Sequence, residues 1–258
     1  MRKRSDKYKY KQFLFHSDIP KAKKGEVIII PMDNRLLKNP PYLNKSNLPS
    51  WFHKLPKGKD SFRRCQGNYD YMTSGFTIPA WSNIYIRPSV DGKTFDLKMD
   101  QFDEEVKFQV EGFPFQMTGE CPFTKDRELP ESHFPKLVSP WRYVTEKGTS
   151  LLALPVLSEP DPRYTVVPGI VHSDYYHQIH IVLNIRSREE FMIPEGTPLQ
   201  HMLPIRRDAE IETLVWGNKS LFDLVKNGGT GKLLMKAKDP TLFYRQKRRE
   251  NDEENREN

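Results

Sequence analysis

Gln178-Ile179-His180-Ile181-Val182-Leu183-Asn184-Ile185 is the most regular stretch of this 258-residue chain. Ile179, Ile181, Leu183 and Ile185 recur at every second position, the period of a strand with one buried face. Arg186–Glu190 reads as a turn, and Phe191 and Ile193 open the next strand. Pro194-Glu195-Gly196 makes a second turn, with Gly196 where a left-handed backbone is wanted. Leu199–Ile205 forms a third strand. Strands that follow one another this closely predict a β-meander, and the expected fold class is all-β.

Working outward, the same signals continue. Gly25 precedes the short apolar strand Val27–Ile30, which Pro31 ends. A Pro/Asn-rich connection runs from Asn39-Pro40-Pro41 to Pro49-Ser50-Trp51-Phe52. Phe76–Pro79, Asn83–Arg87, Phe95–Met99 and Val106–Val110 read as strands, with Asp91-Gly92 as a hairpin turn between two of them. The 21 prolines disfavour long helices. After Arg207 the pattern changes: Asp208 is a candidate N-cap before Ile211, Leu214 and Val215. Ser220 caps a second short helix with Leu221, Leu224 and Val225, ended by Asn227-Gly228-Gly229. The expected organisation is an arm over 1–24, a β domain over 25–207, a helical extension over 208–235 and a disordered charged tail over 236–258.

The formal charge of +7 belongs to the arm. Residues 1–24 hold nine Lys/Arg against Asp6 and Asp18, which leaves 32 groups of each sign in the rest of the chain. Arg2, Lys3, Arg4, Lys7, Lys9 and Lys11, interleaved with Tyr8, Tyr10 and Phe13, suit contact with a polyanion or an acidic phage protein. A solvated terminus is the competing reading. No apolar run reaches the roughly 20 residues of a membrane span, and no apolar stretch follows the basic start as in a secretory signal. Cys65 and Cys121 are too few for a disulfide framework or a four-thiolate zinc site and are expected to be buried free thiols. The protein is expected inside the host cell or in a virion, neither secreted nor in a membrane.

Gly169-Ile170-Val171-His172-Ser173-Asp174-Tyr175-Tyr176-His177-Gln178-Ile179 resembles the uridine-binding hairpin of trimeric dUTPases and the related dCTP deaminases. Phe191-x-Ile193-x-x-Gly196-x-x-Leu199 continues that resemblance, and Gly148-Thr149-Ser150-Leu151 falls near the family's phosphate motif. Over about residues 137–207, the resemblance implies a dUTPase-like β-barrel or sandwich, a homotrimer, and a nucleotide site at Ser150, Gly169, His172, Asp174 and Tyr175. The departures bear on activity. His172 stands where the family has its water-orienting Asp, His177 replaces the Gly facing the base, and Gly148 replaces the phosphate Arg. Gln200-His201 replaces Ala-Gln, and the closing arm has only an echo in Gly228–Lys232. Hydrolysis of a triphosphate needs clamped Mg²⁺, a positioned water and a base. The resemblance therefore supports the fold and argues against the activity. A second similarity, running from Cys65, Asp70 and Gly75-Phe76 through Pro140-Trp141 to Pro204–Arg207, is to uncharacterised proteins of tailed phages and bacteria.

His172, His177, His180 and His201 cluster in the sequence, and a cupin-like metal enzyme is the third candidate. Strand parity opposes it, since His177 and His180 point to opposite faces. His201 shares parity with Leu199 and Leu203 and reads as a hydrogen-bonded histidine on a packed face. Trp51, Trp81 and Trp141 read as core anchors. The leading expectation is a binding or structural protein without a cofactor. The alternative is a divergent Mg²⁺-dependent pyrophosphatase or a deaminase. In it Asp174 activates water, Ser150 touches phosphate and Tyr175 the deoxyribose.

Overall fold

Strand β10 (Gln178–Ile185) carries the alternation into the structure: Ile179, Ile181, Leu183 and Ile185 are all buried, in a computed structural model of the chain. That structure describes residues 20–56, 58, 61–88, 95–100, 135–157 and 160–209, with Thr213, Gly217, Lys219, Ser220 and Asp223. Arm residues Arg2–Lys11, the expected strand Val106–Val110, Cys121, Gly228–Lys232 and the tail lie outside the described residues.

The remaining strands are β1 (Val27–Pro31), β2 (Tyr42–Leu43), β3 (Phe76–Pro79), β4 (Ile84–Pro88), β5 (Phe95–Met99), β6 (Lys136–Thr145), β7 (Thr149–Pro155), β8 (Tyr164–Val166), β9 (Gly169–Val171), β11 (Phe191–Ile193) and β12 (Pro198–Arg206). They form a four-stranded sheet β1-β6-β10-β8, a three-stranded sheet β11-β4-β5 and a five-stranded sheet β2-β3-β12-β7-β9. Among the described residues every pairing is antiparallel. The body is thus mostly β, as its alternation predicts. One core joins the three sheets: Trp141, Tyr143 and Leu137 of β6 meet Ile78, Ile84, Leu151, Ile181 and Ile193. Burial of such side chains contributes about 1.5–3 kcal/mol each before chain entropy is counted. Trp81 and Trp141 are buried as anchors, whereas Trp51 is half-buried.

Several expectations are corrected. The meander does not form: β10 joins the four-stranded sheet, β11 pairs with β4, and β12 lies between β3 and β7. The turn before β12 is tied to distant backbone. Gly196 N–H donates to Ala80 O at 2.7 Å, Ala80 N–H donates to Thr197 O at 2.8 Å, and Glu195 N–H donates to Asn83 Oδ1 at 2.9 Å. Gly196 does adopt the expected left-handed φ of +84°. The Gly169–Ile179 segment is likewise not a paired hairpin. β9 pairs with β7 while β10 pairs with β6 and β8, so Ser173–Tyr175 is a turn crossing between sheets.

The connection before β3 also contains helices, α1 (Ser50–Lys54) and α2 (Gln66–Thr73). Their pattern was invisible because α2 buries only Met72, which leaves no apolar stripe to read. Cys65, at the start of α2, is exposed rather than buried. Past β12, Arg207–Ala209 is a 3-10 turn in which Asp208 pairs with Arg206 at 2.6 Å; Ile211, Leu214 and Val215 of the helix expected after it lie outside the described residues. Lys219, Ser220 and Asp223 are helical, with Lys219 Nζ 3.0 Å from Asp223 Oδ1. Among the described residues, no helix is long and apolar enough to cross a membrane.

Candidate functional site

The end of the five-stranded sheet collects most of the residues singled out in the sequence. In the β7–β9 ladder Leu151 faces Val171, and in the β7–β12 ladder Ser150 faces Ile205. Extending those registers sets Ser150 beside His172, and Gly148 between Asp174 and Arg207. The contacts follow. Ser150 Oγ lies 2.7 Å from His172 Nδ1, Gly148 N–H donates to Asp174 Oδ2 at 2.9 Å, and Arg207 N–H donates to Gly148 O at 3.0 Å. Gly148 turns β6 into β7 at a φ of +81°, in the left-handed region open to glycine.

Arg207 is the hub. Its Nη1 donates to Asp174 Oδ1 at 2.8 Å and to Ser150 Oγ at 3.0 Å, and its Nη2 donates to Asp174 Oδ2 at 2.5 Å. This is the bidentate fork that guanidinium makes with carboxylate. The Asp174 side chain is only 6 % exposed and that of Arg207 34 %. The guanidinium, helped by Gly148 N–H against the opposing effect of burial, holds the Asp174 carboxyl down at about 2. Arg207 also lies 5.8 Å from the centre of the Tyr175 ring, within reach of a cation–π attraction. Beneath the cluster, Thr145 Oγ1 donates to Thr149 O at 2.7 Å and lies 2.9 Å from Ser173 Oγ.

Ser150, His172, Asp174 and Tyr175 are therefore brought together. Gly169 is not: it pairs with Ala153, three residues along β9 from His172, about 10 Å at strand rise. Ser150 is fully buried, while Tyr175 is 67 % exposed. Arg207 was missed as a site residue. Its partners are 33 and 57 positions away, and only the ladder brings them into one place. Arg207, the first residue after β12, thus brings a guanidinium beside Gly148.

The histidines do not converge. His177 Nδ1 lies 3.1 Å from both Tyr143 O and Ser173 O, and His201 Nε2–H donates to Ser74 O at 2.8 Å. His201 is buried and packs 4.7 Å from the Tyr71 ring, so the packed-face reading of it holds. Burial pushes the His201 and His180 rings below the ordinary histidine range. Among the described residues, no group of three or more His, Cys, Asp or Glu is placed to hold a metal ion. A cleft of about 420 Å³ lies elsewhere, lined by Tyr71, Pro155, Leu157, Tyr164, Arg186 and Leu199. Comparison with known protein families and with curated proteins finds no match for the chain.

Proposed function

We propose that this chain is a non-catalytic binding or structural protein, phage-encoded and built on a dUTPase-like β scaffold, whose former catalytic end serves as a clamp between strands. The observation that supports this is the state of Asp174. Both its oxygens accept from donors of its own chain, and its carboxyl is held at about 2. A general base works best with a pKa near the operating pH and with a water in hydrogen-bond reach. A carboxylate so acidic, clasped by a guanidinium, is a poor proton acceptor near neutrality. Ser150, fully buried and bonded to His172 and Arg207, is a poor phosphate contact.

A homotrimer belongs to the same reading. The edge strand β9 and the turn after it expose Ile170, Tyr175 and Tyr176, apolar surface that suits contact with further copies. Its test is the mass of the native protein in solution.

The test of the main reading is direct. Incubation of the full chain with dUTP, dCTP and the other deoxynucleoside triphosphates plus Mg²⁺ is expected to yield no turnover or deamination above blank. Turnover that Asp174→Asn abolishes, in a variant that still melts cooperatively, would overturn it.

A further inference from the structure

The helical cap formed by α1, the Phe62–Arg64 3-10 turn and α2 carries chemistry that the clamp does not use. Phe52 is buried at its centre. Around it stand the rings of Phe62 at 6.5 Å, Tyr69 at 6.2 Å and His53 at 6.4 Å, with Trp51 6.1 Å from Phe62. Phe62 and Tyr69 are each 38 % exposed, and Trp51 is half-buried, so large aromatic surface remains open to solvent. Folding alone would favour turning such rings inward.

Charge accompanies the rings. Lys54 follows Trp51 on α1, Arg63 and Arg64 follow Phe62, and Lys45 lies on the Asn44–Ser46 turn that packs against α2. Lys45 and Lys54 are exposed and have no carboxylate partner among the described residues. Arginines are engaged: Arg35 pairs with Asp33, Arg87 with Glu190, Arg163 with Asp161 and Arg206 with Asp208, and Arg63 Nη1 in the cap donates to His53 O at 3.0 Å. Asp70, the acidic residue of α2, accepts from Gln66 Nε2 at 2.7 Å.

We propose that this cap is a contact surface for single-stranded nucleic acid, its open rings stacking on unpaired bases and its cations meeting the phosphates. Rings about 6 Å apart and steeply tilted to one another cannot take a stacked duplex. They suit bases splayed from a flexible strand, with cations within a few residues of each ring. An acidic protein would use the cations but has less use for the flat ring faces. The proposal refines the reading of the chain as a binding protein and is independent of the Asp174 clamp.

The test is fluorescence anisotropy of a labelled oligothymidylate against the full chain, over a range of salt. Phe62→Ala and Trp51→Ala are each expected to weaken binding by about tenfold, the scale of losing one base stack. Lys45→Ser combined with Lys54→Ser touches no packed side chain. It is expected to reduce the slope of log Kd against log salt by about 1.4, or roughly 0.7 for each lost phosphate contact. Thermal melts establish that each variant is folded, and the lysine pair decides the matter should a ring variant unfold. Unchanged affinity in all of these would overturn the proposal and assign any binding to the arm. Equal binding of a duplex, or of polyglutamate with the same dependence on the rings, would also overturn it. Turnover of nucleotides would sink the non-catalytic reading and leave this result standing.

Discussion

The Asp174–Arg207 cluster and the aromatic cap both gather polar groups, but they spend them differently. In the cluster the central groups meet partners from their own chain: fork to carboxylate, Gly148 N–H to Asp174, Ser150 to His172. The cap instead leaves rings half-open and two lysines unpaired among the described residues. The difference teaches that polar side chains gathered at one place can be tied up by partners of their own chain. A surface with no motif can hold the unspent chemistry.

The largest expected effect comes from breaking the joint between cap and body. Gly75 connects α2 to β3 at a φ of +65°, and a Cβ built there would lie 2.0 Å from Met202 O. Gly75→Ala is expected to cost about 3 kcal/mol or more, a backbone clash added to a strained φ. Chemical denaturation measures it, and the same variant should lose oligonucleotide binding. A loss below about 1 kcal/mol would mean that cap and body are not coupled through this glycine.

A middle-sized effect tests the clamp. Arg207→Ala leaves a nearly buried carboxylate with one backbone donor, and should cost about 2 kcal/mol at pH 7. The sign with pH follows from the lowered Asp174 carboxyl, which moves from 3.8 in an unstructured chain to about 2. Its contribution is complete above about pH 4 and is lost as pH falls towards 2. In Arg207→Ala that acid limb should flatten. An unchanged limb would place the acid sensitivity elsewhere.

The smallest effect concerns the cap's anchor. His201 is neutral in the fold, donates to Ser74 O and packs on Tyr71 of α2. Burial lowers its pKa, so the unfolded chain takes up protons first and stability falls as pH drops below about 6.5. His201→Gln should make that slope shallower, and the part that remains belongs to His180, lowered for the same reason. A slope untouched by the substitution would remove His201 as its source.

Local periodicity was a good guide wherever a strand buries one face. β3 and β5 occupy the predicted positions residue for residue, and the alternating face of β10 is the buried one. It failed where partners are distant. The meander pattern of 178–206 is compatible with several pairings. Hydrogen bonds that the Gly196 turn makes with Ala80 and Asn83 draw β12 into another sheet. It failed again at α2, where Met72 is the one buried residue and the helix shows no apolar stripe. For the site, the resemblance singled out Ser150, His172, Asp174 and Tyr175, which come together where β7 pairs with β9 and with the turn that follows it. Arg207 was not singled out, because nothing in its neighbourhood marks it from Arg206 beside it. In the fold the two divide: Arg206 reaches Asp208 and Arg207 turns to Asp174.

By itself the sequence determined several of the strands, the buried face of β10 and the left-handed turn at Gly196. Each of these follows from a period of two, from apolar burial or from a backbone restriction that acts within a few residues. Only the tertiary structure decided which strands pair, which arginine reaches Asp174 and which aromatic rings stay open. Those outcomes depend on contacts between residues far apart in the chain, where no local preference operates. The net charge illustrates the division: composition assigns the excess to residues 1–24, yet it cannot tell a cation closed into a clamp from one left exposed on a cap.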